Sequence, residues 1–317
     1  MKMHEPVFKI EGENPEVTKF VKNHLREARL EDQSGVHADA LEIELAMPEE
    51  APWPDDGTTL SCRLGYSDIH QDRKRFAVDQ IAHMGPPSHL LISATTAAFN
   101  SATRAPKERS FNNQTFGEIL DTVVSEHGYE AQFVPASLGN VYIAHIDQTG
   151  QSDLQFIHDL AETYGAMFKP VDGRWVVVSY EADLTPKLVI RPSDVTTYRT
   201  HHMARRVYRS VRAFYQDYGL ASRVPVTVGS GEPEHLLPQV FVDEDTALAK
   251  ARAALVESRR GAREGTLHMP GRPDLSSQDV ITLEGFGGRT DGDWRITSNI
   301  HTQNKRGYTS RIELEGV

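Results

Sequence analysis

The sequence predicts a mainly β protein with α+β content: two related antiparallel β-barrel domains flanking a small α+β domain. Three observations predict it. Period-two alternation of apolar and polar residues, broken by short polar links, fills residues 6–95. Capped amphipathic helices cluster in the middle of the chain, with one more near 243–261. The stretch from Gly271 to Val317 echoes the strand order of the N-terminal region. The boundaries read as 1–104 for the first β domain, 105–183 for the α+β domain and 184–317 for the second β domain with its inserted helix. A chain of 317 residues gives each of these room for its own core.

In the first domain, Pro6–Ile10 reads as a short strand. After a turn at Asn14-Pro15, Val17–Leu30 carries one helical turn before the next strand. Ala40–Ala46 alternates strictly, placing Leu41, Ile43 and Leu45 inward and Glu42 and Glu44 outward. Pro48–Gly57, with three prolines and four acids, is a connecting loop. Thr58–Tyr66, Phe76–His83 and Leu90–Thr95 bring the total to about six antiparallel strands, and short links between that many strands predict a closed or nearly closed barrel. Asp68, His70 and Asp72 sit in one loop, but no further ligand set accompanies them, so the loop reads as a solvated hairpin tip and not as a metal site.

Asn100–Asn113 is polar, contains Pro106 and reads as a linker. Thr115-Phe-Gly-Glu118 is a capping box, opening a helix that buries Phe116, Ile119, Leu120, Val123 and Val124 and stops at Gly128. A second helix starts at Ser152, buries Leu154, Ile157, Leu160, Ala161 and Tyr164, and stops at Gly165. Strand signals lie near Gln132-Phe133 and in Asn140–Gln148, and Met167–Pro170 and Trp175–Ser179 form a hairpin turned by Val171-Asp172-Gly173. His127, His145, Asp147, Asp153, His158 and Asp159 fall in this region and raise the question of acid–base chemistry. His127 follows a helix end, His158 and Asp159 take the exposed side of a helix, and no nucleophile motif accompanies them, so none is assigned a catalytic role.

From Leu184 the pattern returns to β, with strands over Leu188–Ile190, Val195–His202, Val207–Tyr215 and Ser222–Gly229. His201 and His202 are adjacent and point to opposite faces, which is poor geometry for chelation. Asp243 or Asp245 caps a helix running to about Arg260. Thr266–Met269 then leads into a closing meander: Val280–Leu283, Trp294–His301 and Tyr308–Leu314. The echo is specific in places. Thr58–Leu64 runs into Gly65-Tyr66 as Val280–Glu284 runs into Gly285-Phe286, and His83 and His301 each lie seven residues after the aromatic that opens a strand, Phe76 and Trp294. Two unrelated antiparallel sheets would also read this way.

Composition bounds the function. The single cysteine, Cys62, excludes an internal disulfide and a cysteine-based zinc site and reads as a buried structural thiol. The longest apolar runs fall far below the roughly 20 residues of a membrane helix, and the charged start has no signal-peptide core, so a soluble protein made in a reducing compartment is expected. A net charge of −11 argues against a nucleic-acid-binding surface. The local exception, Arg205, Arg206, Arg209 and Arg212, alternates with Val207, Val211 and Ala213 as a solvated or subunit-facing strand does. The sequence therefore yields no catalytic, cofactor-binding or metal-binding residue, implies no cofactor, and does not single out binding residues; Trp53 and Tyr198 suit a core as well as an interface.

Several separated motifs resemble one family. HIDQTGQSDLQFI from His145, continuing to Leu160-Ala-Glu-Thr-Tyr-Gly-Ala, is similar to the signature of the phage late control gene D proteins. So are Gly271-Arg-Pro-Asp-Leu, Ile281-Thr-Leu-Glu-Gly-Phe, Trp294-Arg-Ile-Thr and Gly307-Tyr-Thr-Ser near the end, and Ala40-Leu-Glu-Ile-Glu-Leu, Gly65-Tyr66 and Arg75-Phe-Ala-Val-Asp79 near the start. The resemblance implies a non-enzymatic baseplate hub of a contractile phage tail, similar to the N-terminal part of type VI secretion spike proteins. It implies two similar β-barrels per chain, a homotrimer whose six barrels join a sixfold tail tube to a threefold central spike, contacts with other baseplate proteins, and assembly in the host cytoplasm. An acidic channel wall would then let the genome pass without binding it, with Glu11, Glu13, Glu16, Glu42 and Glu44 as candidates. The alternatives are the hub of a phage-derived bacteriocin or secretion device and a tail-borne cell-wall hydrolase.

Overall fold

The computed structural model describes residues 6–12, 15–35, 39–46, 58–66, 74–96, 101–171, 174–182, 185–203, 207–219, 221–260 and 262–317. The candidate metal loop at Ser67–Asp72, the loop with Trp53, Glu13, and Arg205 and Arg206 lie outside these. In chain order the N-terminal elements are β1 (Pro6–Gly12), α1 (Pro15–His24), β2 (Leu25–Gln33), β3 (Ala40–Ala46), β4 (Thr59–Tyr66), β5 (Lys74–Met84) and β6 (His89–Thr96). Next come α2 (Ser101–Arg104), β7 (Pro106–Thr115), α3 (Phe116–Ser125), β8 (Glu130–Val134), β9 (Tyr142–Ser152), α4 (Asp153–Thr163), β10 (Ala166–Val171) and β11 (Arg174–Ser179). The rest are β12 (Leu188–Ile190), β13 (Thr197–His202), β14 (Ser210–Asp217), β15 (Ser222–Gly229), β16 (Glu234–Phe241), α5 (Glu244–Arg260), β17 (Arg263–Pro270), β18 (Val280–Leu283), β19 (Gly292–Asn304) and β20 (Gly307–Gly316).

Two compact units divide the chain. The first comprises residues 1–99, 186–200 and 265–314, and the second comprises 100–185, 201–264 and 315–317. A 12-stranded sheet organises the first, in the order β1-β4-β5-β6-β3-β2-β19-β20-β17-β13, with β18 on β19 and β12 on β18. Its alternation is the one the sequence carries: Leu41, Ile43 and Leu45 on β3 are fully buried while Glu42 and Glu44 face out. Cys62 is buried between neighbouring strands, and burial pushes its thiol up to about 12, which makes it inert.

The expected closed barrels are not what the pairing forms. A strand has two edges, and closing β1–β6 on itself needs a free edge on β2. That edge is taken: Glu27–Gln33 pairs antiparallel with Ser298–Asn304 of β19, while the other edge of β2 pairs with β3. β19 is long enough to serve two partners along one side, β18 at Gly292–Arg295 and β2 at Ser298–Asn304. The N- and C-terminal strands are therefore joined through β19 in one mainly antiparallel sheet. Its two ends keep separate cores, one around Leu41, Ile43, Leu60 and Phe76, the other around Ile281, Trp294, Ile296 and Ile312.

The echo between the chain's ends has a geometric counterpart. β4-β5-β6 and β18-β19-β20 are both consecutive meanders in the sheet order. In each, the opening aromatic of the middle strand faces an apolar residue of the strand before it, Phe76 opposite Leu60 and Trp294 opposite Ile281. The two histidines part company: His83 is exposed and bonded to Ser88, whereas His301 is fully buried.

The second unit contains three small sheets. β7 and β9 pair antiparallel as a ribbon, β10-β11-β8 forms a mixed sheet, and β15-β14-β16 carries α5 on one face. α3 has the predicted capping box, with the Thr115 hydroxyl accepting from the Glu118 amide and the Glu118 carboxylate accepting from the Thr115 amide. Asp243 is the residue that caps α5, accepting from the Thr246 amide at 2.7 Å. Three local expectations change. The polar linker is the strand β7; the single helical turn after Pro15 is the ten-residue helix α1; and β16 was not anticipated at all.

Candidate functional site

Of the six titratable residues singled out in the middle region, the fold brings two, His127 and Asp153, into one buried cluster. Asp153 opens α4 and is fully buried; His127 follows α3 and its Nε2 donates to Asp153 Oδ2 at 2.7 Å. Lys107 Nζ also reaches Oδ2, at 2.6 Å, Arg109 donates to Oδ1, and Gln148 Nε2 donates to Oδ1 at 3.0 Å. Lys107 and Arg109 both bond Glu126 as well, so two cations alternate with two carboxylates. Burial alone would push the Asp153 carboxyl up, but the bonds from Lys107, Gln148 and His127 and the charge of Arg109 outweigh it and hold it below the ordinary carboxylate range.

Glu126, His127 and Asp153 bring ligand atoms within 4.8 Å of one another, the spacing of a metal site. The place a cation would take is already filled by Lys107 and Arg109, whose donors saturate both Asp153 oxygens. The chemistry available is therefore cohesion: one carboxylate ties β7, β9, the end of α3 and the start of α4. The other residues lie outside this cluster. His145 and Asp147 are an exposed pair at 3.2 Å on β9, and Asp159 accepts from Gln151 and Gln155 on the surface. Sequence reasoning missed Lys107 and Arg109 because they lie in the segment read as a linker; their alternation with Glu108 and Ser110, ending at the buried Phe111, was the available signal.

A second buried polar group lies in the first unit where β2 meets β19. Asp32 is 1% exposed and accepts from the Ser277 amide at 2.8 Å and the Ser277 hydroxyl at 2.9 Å. Lys74 on β5 stands 3.7 Å from Asp32 and donates to Asp39 at 2.7 Å. Beside it, His301 Nδ1 lies 2.8 Å from the Tyr308 hydroxyl, inside the sheet. Burial is the main cause that lowers the His301 imidazole to about 4; Asp32 and Asp274 oppose it and Lys74 reinforces it.

That value makes a pH prediction. An unfolded histidine titrates near about 6.5, so between there and about 4 the unfolded chain binds a proton that the folded chain excludes. Stability is present in full above about 6.5 and falls as the pH drops towards 4, by about 2–3 kcal/mol from this one residue. Denaturant titrations at steps from pH 7 to 4 should show the loss, and His301→Gln should flatten it in that interval.

On the outward face of β2 and β3, Glu27 lies opposite Glu44 and Arg29 opposite Glu42. Arg29 is shared between Glu31 and Glu42, and Arg26 pairs with Glu44 at 3.3 Å. On β14, Val211 and Ala213 are buried against α5 while Arg212 points away and bonds Glu234, as the alternation required.

Among the described residues, these groups act as internal ties between elements. A family model described as phage tail baseplate hub (GPD) matches residues 78–306. The chain belongs to this family. It is a structural, non-enzymatic component of the phage tail baseplate. This hub protein is 26% identical to the probable baseplate hub protein of Escherichia phage P2, over 98% of its own length and 93% of the relative's. In fold it is similar to a tail protein from Neisseria meningitidis MC58, with a TM-score of 0.75 and 11% identity over 99% of this chain and 97% of that one. It is also similar, with a TM-score of 0.56 and 11% identity over 98% of this chain and 76% of the other, to an Escherichia coli component of the type VI secretion system described as structurally similar to T4 bacteriophage tail proteins gp27 and gp5.

Proposed function

We propose that this hub protein forms a homotrimeric ring that joins the sixfold tail tube to the threefold central spike and surrounds the channel. The observation that carries the reading is the doubled meander. β4-β5-β6 and β18-β19-β20 repeat one arrangement of strands and buried aromatics within one chain, so three chains present six related β lobes. Such a ring matches a sixfold partner on one side and a threefold partner on the other. In this reading the partners are the tube protein, the spike protein and neighbouring baseplate proteins, and the ring assembles in the host cytoplasm.

The genome passes through such a ring without specific binding. Glu27, Glu31, Glu42 and Glu44 against Arg26 and Arg29 leave the β2–β3 face acidic, the character a channel wall needs to repel phosphates. The fold likeness to the type VI secretion component favours a second reading, a hub in a contractile device that carries no genome. Capsid and packaging genes beside this one would decide for the phage.

Light scattering on the purified protein, alone and mixed with the candidate spike protein, tests the ring. The expected result is a trimer, or a monomer that becomes a 3:3 complex with the spike. A monomer inert towards both spike and tube protein would overturn it.

A further inference from the structure

The inserted helix α5 has two working faces. Ala247, Ala251 and Leu255 pack on the β15-β14-β16 sheet. Ala249, Ala253 and Val256, also at helical spacing, lie on another face and line a cleft of about 640 Å³. Leu138, Val141, Tyr142 and Ala144, from the approach to β9 and its first residues, supply most of the remaining apolar lining. The size is that of preformed ligand pockets.

The helix is fixed in place. Lys250 Nζ donates to Thr163 Oγ1 at 2.8 Å, and a Cβ on Gly165 would stand only 3.5 Å from the Ala253 backbone. At the far end of α5 the Arg260 guanidinium stacks 3.6 Å from the Tyr180 ring centroid and forks onto Glu315. A wall held at both ends keeps its shape without a ligand, which lowers the ordering cost of binding one.

The charge of the lining is one-sided. Glu181 and Asp245 are exposed, Asp243 is half-buried, and Arg252 is the one basic residue among those that line the cleft. Asp243 reaches inwards: after burial, its charge is what pushes the Tyr164 phenol upward.

We propose that this cleft docks a short segment of a second protein carrying alternate apolar and Lys or Arg side chains, its apolar groups on the alanine face of α5 and its cations on Glu181, Asp243 and Asp245. Three carboxylates against one guanidinium select cations and disfavour an acidic segment. The apolar lining selects against a small hydrated ion, which would leave it unfilled. Alanine side chains leave depth for the partner's larger ones. This inference stands on the cleft and is independent of the ring.

The probe is a fluorescein-labelled hexapeptide alternating Leu and Lys, followed by anisotropy on the full chain, with a Leu/Glu hexapeptide as its counterpart. Two variants accompany it: Glu181→Gln with Asp245→Asn, both at exposed positions, and Ala144→Trp, which fills the cleft from an exposed site on β9. The expected result is binding of the Leu/Lys peptide alone, weakened about tenfold in each variant while the melting temperature holds. Equal binding of both peptides, binding unchanged in both variants, or no binding of either peptide would overturn the proposal.

Discussion

Replacing Asp153 by Ala is expected to lower the unfolding free energy by about 3–5 kcal/mol, read from denaturant titration of the purified protein. The carboxylate is fully buried, yet its partners Lys107 and Arg109 keep 29% and 19% side-chain exposure. Removing it strands two cations against a single, more exposed carboxylate, Glu126, takes the carboxylate away from His127, and leaves Gln148 Nε2 with the Gln151 carbonyl alone. Asp153→Asn separates charge from shape: it retains an oxygen acceptor and a similar volume, so its cost should be smaller but still well above 1 kcal/mol. A surface ion pair would cost about 0–1 kcal/mol, and a value in that range for Asp153→Ala would show that the cluster does not hold the second unit together. The ends of the network predict the contrast. Glu126→Ala, at an exposed position after α3, should cost no more than about 1 kcal/mol.

The same cluster shows where the sequence was readable and where it was not. α3 and α4 carry their own start signals in Thr115 and Ser152, and their apolar positions recur at helical spacing, so both were legible to within a residue or two. β3 alternates because one face is buried and the other wet. β7 has no such contrast: in a two-stranded ribbon with one buried apolar residue, Phe111, the pattern that marks a strand is missing, and a polar run with Pro106 looks like a linker. β16 hides for a related reason. It is an edge strand, largely exposed, and it carries Pro238, which interrupts a ladder; the register shift in its pairing with β14 absorbs that proline. The open sheet was hidden by another cause. Which strand occupies the second edge of β2 depends on β19, more than 250 residues away in sequence, and no local pattern encodes that choice. The echo of strand order was legible because it needs only order and spacing, whereas the divergent fates of His83 and His301 depend on what packs over each.

Asp32→Ala is expected to cost about 3–5 kcal/mol and to act at the join between the chain's two ends. Ser277 directs both its amide and its hydroxyl at this carboxylate, so the substitution removes two buried hydrogen bonds to a charged group at once, each worth about 1.5–3 kcal/mol. Lys74 retains Asp39, which limits the charge imbalance on that side. The pairing partner Asn299 of β19 and the segment around Ser277 are both fixed through this position, since Asn299 Nδ2 donates to the Leu275 carbonyl at 2.8 Å. The loss should therefore appear as local opening before global unfolding. Amide exchange along Asp32–Gln33 and Ser298–Asn299 should accelerate in the variant, while amides in the Leu60–Phe76 and Trp294–Ile281 meanders keep more of their protection. Uniform acceleration across both meanders would mean instead that the join and the two cores unfold as one unit, and that the sheet has no separable halves for a ring to use.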